Sequence, residues 1–397
     1  MRISTSQIFS QSLNQMNSAL NDVTELNMME SSQKKINRPS DDPAGMANVM
    51  ELTSYDQSLS GYMDNCATAT DSLDLADQSL MQVSENITAA MELAEQGSTE
   101  TYTDEQLQMM ALEMESYLDS ILAISNTQMG ADSLFAGDDL GSNAYEMGLG
   151  VTLPNDSLNY TDFASMTGET DTTVHVQFNE PGVIGTDEID YQYSMDNGQT
   201  WTTATLAAGD TTIDVGTAQI EVTPGTSVTA ADGNGNGTEF YLREAAHYTG
   251  SDTAMSVAIS ENTNADMTTV GSTIFGGVDP ATNAPYSEPN LFEIMSDCIV
   301  YMEIGDQDAV AACLDDLRDA HENVETGAAN IGARENKVSY TEQSLGLIRE
   351  VTTNSISHEE DANATQLIVE LEQANYVYEA VLRSTADIMK MSILNYI

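Results

Sequence analysis

A mainly α-helical chain with one inserted β domain is what the sequence predicts, on three observations. Both chain ends carry apolar residues at three-and-four spacing over many turns. Of the eight prolines, two stand at Pro39 and Pro43 and six lie between Pro154 and Pro289, which leaves long breaker-free stretches at both ends. Between residues 141 and 289 the composition shifts to Thr, Gly, Asp and Asn with short alternating runs, the pattern of strands and turns.

Taken in order, Leu13, Met16, Leu20 and Val23 predict a first amphipathic helix. The segment Asn37-Arg38-Pro39-Ser40-Asp41-Asp42-Pro43-Ala44-Gly45 predicts a specified turn. Pro39 would stop the helix before it, Ser40 or Asp41 would cap the next one, Asp42 would favour its N-terminal dipole, and Pro43 would occupy its first turn. A second stripe runs through Leu59, Met63, Cys66, Thr70, Leu73, Ala76, Leu80, Val83, Ile87, Ala90 and Ala94. Thr103 or Asp104 can cap a third helix, carrying Leu107, Met110, Met114, Leu118 and Ile121 and expected to end near Met129-Gly130. The run Thr173 to Phe178, Ile189 to Tyr193 and Thr212 to Val215 read as strands, with Asn197-Gly198 as a hairpin turn. A further helix is expected from about Asp306 to Ile356, with Leu314, Leu317, Val324, Ile331, Val338, Leu345 and Ile348. Leu367, Leu371, Ala374, Tyr378, Val381, Thr385 and Ile388 then alternate by four and three, a coiled-coil seam.

Helical halves that flank an insertion must pair with each other to bury their stripes. The expected division is therefore 1–38 with 358–397 as a terminal coiled-coil domain, 39–140 with 290–357 as a helical bundle, and 141–289 as the β domain. The expected assembly seam is Leu13, Met16, Leu20, Val23, Leu371, Tyr378, Val381 and Ile388, and the expected helix joint is Arg38 to Pro43.

Charge excludes several functions. The 397 residues hold 64 acidic against 11 basic side chains, a formal net charge of -53, and no Lys or Arg falls between Arg38 and Arg243. Nucleic acid and anionic membrane both demand cationic footprints, so neither is an expected partner. Cys66, Cys298 and Cys313 sit in helical patterns and read as small core residues. The N-terminal residues lack the apolar region of a cleaved signal, and no run is long enough to span a bilayer.

Candidate chemistry is sparse. Asp232-Gly233-Asn234-Gly235-Asn236-Gly237 starts like a calcium loop, but Arg243 stands where a bidentate Glu is required, so a turn is the reading and no metal is assigned. Ser194 to Trp201 resembles an Asp-box, in which Asp196 would bond turn amides and Trp201 would pack as core. His175, His247, His321 and His358 have no ligand at metal spacing and no nucleophile motif beside them. Asp138-Asp139, Asp315-Asp316 and Glu359-Glu360 read as solvated faces. No cofactor and no enzymatic activity are expected.

The opening Met1-Arg2-Ile3-Ser4-Thr5, the Asn-Arg-Pro-Ser-Asp-Asp-Pro joint and the closing Ser392-Ile393-Leu394-Asn395-Tyr396-Ile397 resemble the flagellin superfamily, and within it the junction-type rather than the filament-forming members. The resemblance covers about residues 1–140 and 290–397. It implies a structural subunit of the bacterial flagellum, exported without a cleaved signal, with an inner terminal coiled coil, an adjoining helical layer and an outward β domain. It implies as partners other copies in a ring, the preceding hook-side junction protein, flagellin, and a small helical export chaperone on the C-terminal heptads. A divergent flagellin, or an adhesive protein acting through the β domain around Trp201, stays open beside that reading.

Overall fold

The computed structural model describes residues 5–99, 102–170, 172–231 and 236–394. The opening Met1 to Ser4, the closing Asn395 to Ile397 and most of the calcium-like loop, Asp232 to Gly235, lie outside the described residues. Its helices are α1 (Thr5–Ser32), α2 (Pro43–Gly97), α3 (Asp104–Ser125), α4 (Leu291–Ile304), α5 (Gln307–Glu360) and α6 (Ala364–Leu394). The chain forms two compact units, Met1–Asp64 with Glu342–Ile397 and Asn65–Thr341, divided within α2 and within α5.

In the first unit α1 and α6 run side by side in opposite directions. Ser12 shares a groove with Val381 and Thr385, while Gln33 at the other end of α1 accepts from Ala362 N at 2.9 Å. The α2 and α5 segments of this unit are joined by Arg349 Nε donating to Asp56 Oδ1 at 3.2 Å.

The second unit joins helices to a β sandwich, and the alternating sequences explain the sandwich. Its main strands are β1 (Tyr145–Thr152), β2 (Phe163–Gly168), β3 (Val174–Phe178), β4 (Ile189–Ser194), β5 (Thr202–Leu206), β6 (Thr212–Asp214), β7 (Ala218–Val222) and β8 (Glu239–Tyr248). An antiparallel sheet in the order β1-β8-β3-β4-β5 faces a smaller one in the order β2-β7-β6. Period-two alternation turns Val174, Val176 and Phe178 of β3 inward, where they meet Phe163, Ile213 and Ile220. Each such buried side chain contributes roughly 1.5–3 kcal/mol of transfer free energy. A hairpin of Ser256–Ser260 and Thr263–Asp266 connects two helices: Asn65 Nδ2 of α2 donates to Ala258 O at 2.8 Å, and Lys337 Nζ of α5 to Asn264 O at 2.7 Å.

The long stripe of α2 is buried as its spacing predicts: Cys66, Leu73, Leu80, Val83, Ile87, Ala90 and Ala94 are all closed to solvent. On α5 Val310, Cys313, Leu317, Ala320, Val324, Ile331, Val338 and Leu345 are buried and Leu314 is half-buried, whereas Ile348, expected in the stripe, is exposed. All three cysteines are buried thiols.

Three expectations need correction. The α3 helix stops at Ser125, short of Met129, because Asn126 exchanges two bonds with the Tyr145 backbone and Gln128–Met129 pairs with Asp132–Ser133. Its start is as expected, with Thr103 and Gln106 in a capping box. The helix expected from about Asp306 is α5, and it is preceded by α4, a helix outside the expected elements, which is capped by Asn290 accepting from Glu293 N and ends at Gly305 in the left-handed region, φ 77°. Trp201 is half-buried against His175, ring centroids 5.1 Å apart, and is not part of the core. Glu360 is no freely solvated carboxylate, since it holds Lys34 Nζ at 2.7 Å.

Arg243 on β8 organises the contact between α4 and the larger sheet. Its Nη2 meets Glu293 Oε2 at 3.0 Å and Asp297 Oδ1 at 2.9 Å, and its Nε donates to Thr152 Oγ1 on β1 at 2.7 Å. Burial pushes the Glu293 pKa up, and the neighbouring guanidinium pulls it back down. The same burial opposes the charge on Arg243, and its two carboxylates outweigh it, so the guanidinium is held charged.

Candidate assembly interface

The joint between α1 and α2 is built by two aspartates with separate tasks. Asp41 Oδ2 accepts from Asn37 N at 3.1 Å and Arg38 N at 2.8 Å, closing the turn that contains Pro39 and Ser40. Asp42, rather than Ser40 or Asp41, is the cap: its Oδ1 accepts from Ala44 N at 3.1 Å and Gly45 N at 3.0 Å, ahead of Pro43 in the first helical position. Its charge sits at the positive end of the α2 dipole. A Cβ at Gly45 would come within 2.5 Å of Asp42 Oδ2 and 2.8 Å of Ile36 Cδ1, so a larger residue there would have to displace the capping carboxylate and the Ile36 side chain. Pro39 does not stop α1. The helix ends at Ser32, and Gln33 follows with φ 58°. Arg38 is exposed and reaches Met28 Sδ at 3.7 Å.

A contact absent from the sequence reading joins this turn to the one between α5 and α6. Lys35 N donates to Glu360 O at 2.7 Å, Ala362 N donates to Gln33 O at 2.9 Å, and Lys34 pairs with Asp361 as an antiparallel bridge. Lys34 Nζ to Glu360 adds an ion pair, and Lys35 Nζ donates to His358 O at 3.2 Å. The two turns form a clasp.

Beyond the clasp, α6 presents Leu367, Leu371, Ala374, Tyr378, Val381, Thr385 and Ile388 on one face, all buried or half-buried. On α1 the face is rotated by one residue from the expected stripe. Ser12, Met16, Ala19, Val23 and Leu26 are its buried and half-buried positions, whereas Leu13 flanks it half-buried and Leu20 is 42% exposed. The small residues Ser12 and Ala19 let the helices approach closely. The outward faces of the pair remain apolar: Ile8, Phe9 and Leu20 on α1, and Ile368, Val369, Tyr376, Val377 and Leu382 on α6, are exposed, Tyr376 to 76%.

The other candidates are structural. Asp196 Oδ2 accepts from Thr200 Oγ1 at 2.6 Å and its Oδ1 accepts from Thr200 N and Ser194 Oγ at 2.8 Å each, so the Asp-box forms, and these bonds, the Thr200 hydroxyl foremost, hold the Asp196 pKa below the usual carboxylate range. His175 pairs with Glu239 at 3.1 Å and stacks on Tyr241, His247 bonds Leu149 O at 2.8 Å, and His321 bonds Ser84 Oγ at 2.8 Å. Among the described residues no group of three His, Cys, Asp or Glu could hold a metal ion, and no helix is long and apolar enough to cross a membrane.

Residues 3–139, about a third of the chain, match the family model described as the bacterial flagellin N-terminal helical region. No curated protein sequence matches the chain. Among solved structures it is similar to a Vibrio parahaemolyticus protein described as flagellar hook-associated, at 15% identity over 81% of this chain and 100% of that one, TM-score 0.49. It is also similar to Bacillus cereus FlgL, at 10% identity over 78% and 99%, TM-score 0.43, and to Legionella pneumophila flagellar hook-associated protein-3, at 11% identity over 78% and 98%, TM-score 0.41.

Proposed function

We propose that this chain is the junction adaptor of the bacterial flagellum, a non-catalytic subunit set between hook-side proteins and the flagellin filament. The observation that carries the reading is the α1–α6 pair, whose inner seam is closed while its outer faces still present Ile368, Val369, Tyr376 and Val377 to solvent. An exposed apolar row on a folded pair is a contact surface awaiting other subunits. Head-to-tail contacts of this kind generate rings or helical lattices, so the row serves between copies and toward the neighbouring junction protein and flagellin. The resemblance of the joint Asn37 to Pro43 and of the segment Ser392 to Ile397 to junction-type members supports an adaptor over a filament-forming flagellin. On this reading 1–38 with 358–397 forms the innermost layer, 39–140 with 290–357 the next, and 141–289 the outer domain. Export on this reading is assisted by a small helical chaperone on the α6 heptads.

Electron microscopy of intact flagella labelled with antibody against residues 141–289 tests it. Label confined to the filament base supports the adaptor; label along the whole length makes the protein a flagellin; absence of flagellar label removes the flagellar reading.

A further inference from the structure

The residues from Asn65 to Thr341 contain as basic side chains Arg243, Arg318, Arg334 and Lys337, set in a large acidic excess. Arg243 is occupied by Glu293 and Asp297, and Arg318 by Asp315. Arg334 and Lys337, one turn apart on α5, have no carboxylate partner among the described residues. Arg334 Nη1 donates to Thr268 O at 3.2 Å, and Lys337 Nζ is taken by Asn264 O. In a chain with 64 acidic residues, a half-buried guanidinium without one of them marks a place that the protein's own carboxylates do not reach.

Beside Arg334 lies a cavity of about 180 Å³ between α5 and the loop Thr269 to Ile274, with Thr269, Thr273, Asn323, Thr326, Asn330 and Arg334 in its wall. Two features build that wall. Asn323 Nδ2 donates to Thr273 O at 3.1 Å and Ile274 O at 3.0 Å, which holds the loop to the helix. Gly327 has no side chain where Ile274 packs, since a Cβ there would come within 3.0 Å of Ile274 Cδ1. The third feature is a deficit: Thr269 is 7% exposed, and its hydroxyl is buried with no hydrogen-bond partner among the described residues. Such a group is costly to leave unsatisfied. A guanidinium offering planar donors beside hydroxyl and amide groups is the chemistry that recognises carboxylate and phosphate oxygens.

We propose that this cavity is an oxyanion site, in which Arg334 and the Thr269 hydroxyl hold a carboxylate or phosphate group. The oxyanion comes either from solution, as inorganic phosphate, or from an acidic side chain of a second copy of this chain. The site does not depend on the junction reading.

The test uses the full chain with inorganic phosphate titrated calorimetrically at constant ionic strength, and sedimentation velocity over a range of protein concentrations with and without phosphate. Arg334→Gln and Thr269→Val are compared with the parent, and Trp201 emission checks that each is folded. Saturable phosphate binding, weakened about tenfold or more by Arg334→Gln and several-fold by Thr269→Val, establishes the site with a free ion as occupant. Self-association weakened to a similar degree by both variants and competed by phosphate establishes it with a second copy's carboxylate. Phosphate affinity and association unchanged in both variants would overturn the proposal and leave the cavity to water. Thr269→Val is nearly isosteric, so the answer survives if Arg334→Gln fails to fold.

Discussion

Arg243→Met should destabilise the second unit by about 3–5 kcal/mol, the cost of breaking a buried ion pair from one side. The magnitude follows from what stays behind. Arg243 is 4% exposed and bonds Thr152, Glu293 and Asp297, and Glu293 is itself 4% exposed, so the variant strands a carboxylate that water cannot reach. Without the guanidinium nothing opposes desolvation, and the Glu293 pKa rises further. A carboxyl whose folded pKa lies above its unfolded value binds more protons when folded. Stability therefore falls as pH rises through the window between the two values, and is recovered as pH drops back through it. The assay is urea unfolding at pH 7 and at pH 5, followed by Trp201, the single tryptophan, which lies in the same unit. The variant should lose less at pH 5 than at pH 7. Arg243→Met with Glu293→Leu and Asp297→Leu should return most of the loss, because an apolar replacement of a whole buried network is often neutral or better. A loss below about 1 kcal/mol at pH 7, or one independent of pH, would refute the reasoning.

Asp42→Ala removes the acceptor of Ala44 N and Gly45 N and should cost the first unit about 0.5–2 kcal/mol in thermal unfolding, with Asp42→Asn retaining most of it. Leu371→Asp or Val381→Asp places a charge in the α1–α6 seam and should abolish incorporation into flagella while Trp201 emission is unchanged; normal incorporation of both variants would remove the seam from the assembly surface. Asp196→Ala should red-shift Trp201 emission by opening the Asp-box turn. The parent should show the same shift only under strongly acidic conditions, because a lowered pKa keeps the turn's contribution intact until pH falls through it.

The α6 seam was legible because Leu367 to Ile388 keep a strict heptad and packing follows it. On α1 the leucines Leu13 and Leu20 suggest the seam, whereas the pair closes on Ser12 and Ala19, whose small size allows close approach. Reading heptads by size alone misses a face built from small residues. The α3 terminus was misplaced because local propensity carries no trace of the bonds from Asn126 to Tyr145. The clasp joins Lys34 to Glu360 across 326 positions of sequence and has no local signature. Arg243 stands in the sequence as the residue that spoils a calcium loop and as the first basic side chain after Arg38, yet it falls in a strand rich in apolar residues, Phe240, Tyr241, Leu242, Ala245 and Ala246. A lone cation in such a setting is a sign of a buried partner.

The clasp also fixes phase. Because Gln33, Lys34 and Lys35 are bonded backbone to backbone with Glu360, Asp361 and Ala362, α1 and α6 leave their turns from a common origin, and neither can slide along the other by a residue without breaking that bridge. A heptad seam by itself tolerates slippage of a whole repeat; here the register is set at one end, like the first tooth of a zip. On the proposed function, a subunit would reach its neighbours with its apolar rows already aligned, and an insertion of one residue between Ser32 and Lys35 should scramble them while leaving every helix intact.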